Sequence, residues 1–557
     1  MKKIGIILDT LSSTKYLYET ISDIKRIENV ELYFLINKKS DINKGFISKI
    51  KLMFQRKGIF RTFELIIFKA ISICELKILS FYYKELNDLN EIKDLNDFEI
   101  NDMIYLNPIF SKSGIVVRYP DEDIEKIKTL KLDLIIRGNA PGIFKGEILN
   151  SSKDGIISFH HGDNRWNRGS PPAFWEVYFK KPSTGFIIQI LTEKLDGGKV
   201  VFRGEFPTQK SYTENLESIY NSSNSYMSKV ILDYLNNSFF NYTEENIAFD
   251  KKILFAPSLL ESIIYVFRTL NLYLKSIFNR IIHSKKKRWQ VAFINKSWES
   301  ADLSKGVRIK NPKNRFFADP FIISKDNRTI CYVEDYCYKN KRGCISAIEI
   351  FDNQSYKILG PVIKESFHLS FPFIFEYQND LYMVPETLEA NSIKLYKCTD
   401  FPKKWKFQKD IISNIKAVDT MIFEKDNLWW LKYNPAIGHK KHCTSVLMSL
   451  YANSPLSSDW KTHRLNPIVF DNSVGRNGGI LQSNKNDLIR VRQNQDFNFY
   501  GRSISLAKIN ILSDSSFEEK EIKKILPDFF KNIEGCHHFH SNNHYTVYDF
   551  YGFNSDK

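Results

Sequence analysis

Apolar residues gather in short unbroken runs over the first half of the chain. Over the second half they alternate with polar ones, so the two halves predict different folds. "KIGIIL" (3–8), "VELYFLI" (30–36), "LDLIIRG" (132–138) and "GIISFHHG" (155–162) read as buried strands. "TKYLYETISDIKRI" (14–27) carries helical spacing between the first two. Strands alternating with helices predict an α/β domain with a mainly parallel sheet over 1–245. Residues 41–95, with "FELIIFKAISICELKILSFYYKEL", read as a basic and apolar helical insertion.

A long amphipathic pattern follows in "SLLESIIYVFRTLNLYLKSIFNRIIHSKKKR" (258–288). Its apolar positions recur at helical spacing, and the segment 246–287 is expected to be a linker helix between domains. An anionic membrane surface is a second candidate for what 258–288 contacts, because the helix ends in a lysine cluster.

From 288 onward five segments resemble one another. They are "DPFIISKDNRTICYVED" from Asp319, "FPFIFEYQNDLYMVPET" from Phe371, "DTMIFEKDNLWWLKYN" from Asp419, "NGGILQSNKNDLIRVRQN" from Asn477 and "HHFHSNNHYTVYDFYG" from His537. Each reads as a strand, an Asx-rich hairpin and a second strand. A repeat of roughly 50 residues built this way predicts an all-β five-bladed propeller over 288–557. "RWQVAFI" (288–294) is the candidate strand for closing the ring.

Composition narrows the picture without deciding it. The 557 residues are 43% hydrophobic and 14% aromatic, ample for more than one core, and the formal charge is +16. That charge points to an anionic partner or to a lysine-rich composition bias. Seven cysteines with no CxxC pair argue against a disulfide framework and a zinc site, so no metal is expected. The opening "MKKIGIIL" is too short for a signal peptide and reads as a strand. No stretch reaches the length of a membrane-spanning helix. The expected compartment is the cytoplasm, with membrane association as the open alternative.

The chemistry concentrates in "SFHHGDNRWNRGSPPAFW" (158–175). His160 falls where a strand of the predicted sheet ends, the position at which open α/β sheets bind ligands. Asp196, followed by Gly197 and Gly198, sits in a later turn. A histidine with a carboxylate partner can move a proton at neutral pH, and a loop histidine beside an Asp-Gly hairpin is the competing structural reading.

The stretch from "LDLIIRGN" to "LDGGKVVFRG" resembles the formyltransferase superfamily that uses 10-formyltetrahydrofolate. The matching landmarks are His160, Arg168-Gly169, Pro172, Trp175, Thr184-Gly185 and Asp196-Gly197-Gly198, in register over about forty residues, and the resemblance covers about 1–245. The resemblance implies a Rossmann-like α/β domain and direct formyl transfer to an amine. His160 would relay the amine proton and Asp196 would orient it. The loop "RGNAPGIF" would hold the pterin through Arg137, Gly138, Asn139 and Gly142. The family's catalytic asparagine falls on Ser158, a shorter donor, and His161, Asn164 and Asn139 are alternative donors. Arg165 and Arg168 are candidates for clamping a phosphate, with a backbone-tying role open for Arg168.

The repeats resemble the propeller-like N-terminal domain of glucosamine inositolphosphorylceramide transferases, on "FFADPFI", "HLSFPFIFE", "MVPETLEANSIKLYK" and "VDTMIFEKDNLWW". Asp319, Asp419, Arg476 and His537 are expected to converge near a central channel with Glu386. Asp319, Glu386 and Asp419 would then bind a glycan, or cap strands through Asx turns. Together these readings predict formyl transfer to an amino sugar, nucleotide- or lipid-linked, in surface polysaccharide synthesis. The substrate partner is a sugar nucleotide or glycolipid, and no nucleic-acid partner is expected. A glycan-directed transferase reusing the formyl site and a non-catalytic glycan-binding scaffold are the alternatives. A methionyl-tRNA formyltransferase fits less well, because a large repeat region stands where that enzyme has a small barrel.

Overall fold

Ile4, Ile6, Ile7 and Leu8 are fully buried, which is what an apolar run without alternation produces when both faces of a strand are covered. They belong to β1 (Lys2–Leu8), an interior strand of a seven-stranded sheet. The other strands are β2 (Val30–Asn37), β3 (Asp102–Leu106), β4 (Leu134–Arg137), β5 (Ile156–His160), β6 (Ser183–Ile190) and β7 (Lys199–Pro207), in the order β7-β6-β5-β4-β1-β2-β3. Pairings β1–β2, β1–β4, β2–β3 and β4–β5 are parallel, and β5–β6 and β6–β7 are antiparallel. Helix α1 (Lys15–Lys25) buries Tyr16, Thr20, Ile21 and Ile24, one stripe at helical spacing.

The computed structural model describes residues 1–38, 58–236, 253–278, 287–436, 444–483 and 485–553. Parts of the expected insertion (41–57) and linker (246–252 and 279–286), with three residues of the lysine-rich run and Cys443, lie outside them. The chain divides into two units, Met1–Tyr273 and Leu274–Lys557.

The first unit runs past the boundary expected at 245. Helix α2 (Ile59–Ser80), α3 (Tyr212–Ser223) and most of α4 (Leu259–Phe278) belong to it. Tyr265 of α4 is 2% exposed, its hydroxyl donates to Glu75 of α2 and it accepts from Tyr212 N of α3 at 2.7 Å. It packs with Phe68, Phe174, Trp175 and Tyr212. A helix anchored this way is part of the unit's core, so the expected linker of 246–287 is, over 253–273, a layer of the first unit. Among the described residues no helix is long and apolar enough to cross a membrane.

The second unit is a succession of antiparallel sheets. Sheet II (Arg315–Lys325, Arg328–Cys337, Arg342–Ile350, Tyr356–Ile363), sheet III (Ser370–Tyr377, Asp380–Glu386, Ser392–Asp400, Lys404–Ser413) and sheet V (Arg476–Gln482, Leu488–Asp496, Phe499–Leu512, Phe517–Ile525) are four-stranded meanders. Sheet IV holds Ala417–Lys425, Leu428–Pro435 and Val446–Ala452 with two short strands. Sheet I joins the two ends of the unit, because Lys287–Ile294 pairs along its whole length with Thr546–Phe553. The leading strands of sheets II, III, IV and V touch one another in turn, and Phe539–Ser541 of sheet I touches those of II and V. This cycle of neighbours brings the starts of the repeats together.

Candidate active site

In the first unit, β5 delivers His160 at its carboxyl end, between β4 and β6. The imidazole Nδ1 lies 3.3 Å from Asp196 Oδ2, and Nε2 lies 3.4 Å from the carbonyl oxygen of Asn167. Both side chains are mostly buried yet retain access to solvent, 12% for His160 and 19% for Asp196. The ring rests against Gly162, where a Cβ would come within 2.7 Å of Nε2. Any larger residue there would push the histidine from its place.

Asp196 sits in the turn between β6 and β7 with φ 44°. Gln189 of β6, 1% exposed, holds that turn from two sides. Its Nε2 donates to Asp196 Oδ1 at 3.2 Å, and its Oε1 accepts from Gly198 N at 3.0 Å. Gly198 has no room for a side chain, since a Cβ would lie 2.0 Å from the Ile190 carbonyl. Asn164 Nδ2 adds a third tie, donating to the Asp196 carbonyl at 3.2 Å. The histidine–carboxylate pair is thus positioned by buried polar groups rather than by loop chance. Arg137 and Arg168 both feel the Asp196 charge, although burial lowers their own pKa values.

The remaining first-unit candidates have structural employment. Ser158 is buried, and its hydroxyl donates to the Phe159 carbonyl at 3.0 Å. His161 stacks on Phe159, contacts Tyr220 edge-on, and burial first, with His160 adding to it, lowers its pKa to about 3. It is therefore a neutral packing group. Asn139 accepts from Asp9 N at 2.7 Å and donates to Thr10 O at 3.0 Å, pinning the β1 loop. Arg137 Nε donates to Ala140 O, and its guanidinium lies over the Phe144 ring. Gly138 packs against the Ile7 carbonyl, and Gly142 takes φ 85° beside Val117. Arg168 Nε donates to Asn164 O at 3.2 Å, the backbone-tying role. Arg165 pairs with Asp163 and Glu205, and Arg203 reaches Asp163 and Asn164.

The second unit gathers a polar cluster where its repeats begin. Asp319, Phe371 and Asp419 all have φ between 44° and 49°, and each lies at a break in its strand register. Such a bulge turns the side chain out of the sheet. The residue before each bulge pairs across with Glu334, Glu386 or Asn434, and Arg476 pairs with Gln493. Asp419 Oδ2 accepts from Arg476 Nε at 2.5 Å and Gln493 Nε2 at 3.0 Å. Glu386 shares a hydrogen bond with Asp419, and burial first, then that neighbour, raises it to about 8. Burial, followed by the Asp549 and Asp419 charges, raises Asp319 to about 7 against the opposing pull of His537. The structure therefore brings Asp319, Glu386, Asp419, Arg476 and His537 together.

Glu334 and Asp549 complete the cluster and were missed from the sequence. Asp549 accepts from the backbone N–H groups of Asp319, His537 and His538, and His537 Nδ1 lies 2.6 Å from it. Burial alone would lower the His537 pKa, but Asp549 and Asp319 hold it above the ordinary value. Asp319, His537 and Asp549 bring ligand atoms within 4.8 Å of one another, the one metal-compatible group among the described residues. Asp549 is already occupied as a brace for three amides. The signal for both missed acids was positional: "VED", "VPE" and "VYD" each place an acid in the second strand of a repeat.

Two stretches of this chain match different known proteins. The model for the family described as "Glucosamine inositolphosphorylceramide transferase 1, N-terminal" matches residues 262–545. The chain belongs to this family. The glucosamine inositolphosphorylceramide transferase 1 of Oryza sativa subsp. japonica is 34% identical over 211 residues, 37% of this chain and 28% of that protein. The match thus spans under a third of the plant relative's length. The methionyl-tRNA formyltransferase of Bacillus subtilis is 32% identical over 114 residues, 20% of this chain and 35% of that protein. A solved 4-N formyltransferase from Francisella tularensis covers 48% of this chain and 87% of its own, at 16% identity and TM-score 0.26. The family member described here therefore carries a region similar to formyltransferases as well as the family's own region.

Proposed function

We propose that the first unit transfers a formyl group from 10-formyltetrahydrofolate to the amine of an amino sugar. The observation that carries this reading is the His160–Asp196 pair at the end of β5, 3.3 Å apart and braced by Gln189. The amine nitrogen attacks the formyl carbon, and the tetrahedral adduct collapses as the bond to N10 of the folate breaks. His160 takes the proton from the amine and returns one to N10, while Asp196 orients the ring and stabilises its charged form. Loop 137–144 would border the pterin mainly with backbone groups, since the Asn139 amide is already bonded.

For the second unit we infer a closed five-bladed propeller. The cyclic contacts among leading strands support it, as does the pairing of the first strand with the last. Its central acids and Arg476 would hold the sugar hydroxyls of a nucleotide- or lipid-linked acceptor. Glu386, whose proton is held to about 8 by burial first and then by Asp419, can donate as well as accept.

The test is product formation from 10-formyltetrahydrofolate and a panel of amino-sugar nucleotides and lipid-linked amino sugars, read as N-formyl sugar by mass spectrometry. His160→Ala should cost on the order of 10²–10⁴-fold in rate. Absence of product across the panel rejects the acceptor class.

One observation favours a second reading, a glycan-binding protein without formyl transfer. The Ser158 hydroxyl is committed to a carbonyl, and Asn139, His161 and Asn164 are bonded or packed elsewhere. On that reading no folate binds, whereas glycan binding survives His160→Ala.

A further inference from the structure

Helices α2 and α4 each bury one face against the cluster around Phe68 and Tyr265, and each leaves an apolar stripe on the opposite face. On α2 the stripe includes Ile59, Phe63 and Ile66, and on α4 it includes Ile263, Phe267 and Leu270. Phe63 is 52% exposed and Phe267 71%. Their three-to-four-residue spacing makes each stripe continuous along its helix. A surface helix of a monomeric protein ordinarily turns polar groups to water, so two such stripes need a partner.

Charge identifies the partner. The acids of both helices are spent internally. Glu64 accepts from Arg61 at 2.7 Å and from Leu259 N at 3.0 Å. Glu75 accepts from Thr213 and Tyr265, and Glu261 accepts from Ser258. The charges left at the surface of α2, Lys69 and Lys77, are cations. In sequence, α2 is preceded by a stretch (38–57) with seven Lys or Arg against one acid. α4 is followed by one (279–286) with three Lys or Arg and no acid. Apolar stripes bordered by cations, with acids withdrawn, match the surface of an anionic bilayer, whose headgroups attract cations while its acyl boundary takes up aromatic and aliphatic side chains.

We propose that α2 and α4 form a peripheral docking surface for a bilayer rich in anionic phospholipid. The proposal stands apart from the formyl-transfer reading, since none of these side chains belongs to the His160 site.

Full-length protein is spun with vesicles of phosphatidylcholine plus phosphatidylglycerol, and with phosphatidylcholine alone. Pelleting with the anionic vesicles is expected, weakening as salt rises. The double variant Phe63→Glu/Phe267→Glu should lower it at least about tenfold. Lys69→Glu/Lys77→Glu, which leaves both stripes intact, should lower it as well. Unchanged thermal unfolding and far-ultraviolet circular dichroism show that the variants fold. The proposal is overturned if wild type does not pellet with anionic vesicles, or if the Phe63/Phe267 variant pellets equally. It is also overturned if wild type ignores vesicles but dimerises through these residues in sedimentation velocity, which would assign the face to a second copy.

Discussion

Gln189 donates from Nε2 to Asp196 Oδ1 at 3.2 Å, while the other carboxylate oxygen, Oδ2, lies 3.3 Å from His160 Nδ1. The amide and the imidazole therefore share one carboxylate, and the orientation of His160 depends on a residue buried in β6. Gln189→Leu would strip both the Asp196 and the Gly198 bonds. It should destabilise the first unit by about 1–3 kcal/mol, read from urea unfolding. It should also shift the pH profile of any activity at His160, whereas a purely structural residue would leave that profile in place.

Ser158 stands where an oxyanion donor would be useful, but its hydroxyl donates to the neighbouring carbonyl. Ser158→Asn places an amide at the same strand position, on the same face as His160. Formyl transfer should rise, by up to roughly 10²–10³-fold if the donor is what limits the rate. An unchanged or lower rate in single-turnover assays would mean the site does not stabilise an oxyanion from this position.

Asp419 and Arg476 form a buried ion pair in the second unit, with side chains 3% and 11% exposed. Arg476→Met removes the charged partner of Asp419 and leaves it the Gln493 amide and the protonated Glu386 carboxyl. Truncating one member of such a pair costs about 3–5 kcal/mol, because the other charge stays buried. The loss should appear in the unfolding transition of the second unit, with Arg476→Met/Asp419→Asn recovering part of it.

Glu386 faces Asp419, Asp319 and Arg476 and keeps its proton up to about pH 8, against an ordinary value of 4.5. Between those values the folded state holds a proton that the unfolded state has released. Stability of the second unit should therefore fall as pH rises from about 5 to about 8. His537, also raised, acts in the same direction. Glu386→Gln should flatten the slope of urea midpoint against pH, and an unaltered slope would place the proton elsewhere.

Much of this arrangement was legible in the chain because it rests on local pattern. Unbroken apolar runs marked β1, β2, β4 and β5, and the strand-end position marked His160. The five repeats marked the sheets of the second unit, and their first residues, Asp319, Asp419 and His537 among them, do meet. Gln189 escaped notice because it is a single polar residue inside "FIIQIL", and only the fold reveals that its side chain reaches Asp196. Glu334 and Asp549 escaped because each looks like an ordinary acid within a strand until cross-strand register carries it to the shared cluster. The helix from Leu259 looked like a linker because its spacing is visible in sequence, whereas the tie from Tyr265 to Glu75 is a long-range contact.

The central claim is that the His160–Asp196 site handles a formyl-folate. Calorimetric titration of full-length protein with 5-formyltetrahydrofolate, a stable relative of the proposed donor, tests it most directly. Saturable binding at one site is predicted, abolished by Gly162→Val, which would drive a side chain into His160. A wild-type protein that is folded and gives no binding heat, or binding that Gly162→Val leaves untouched, would contradict it.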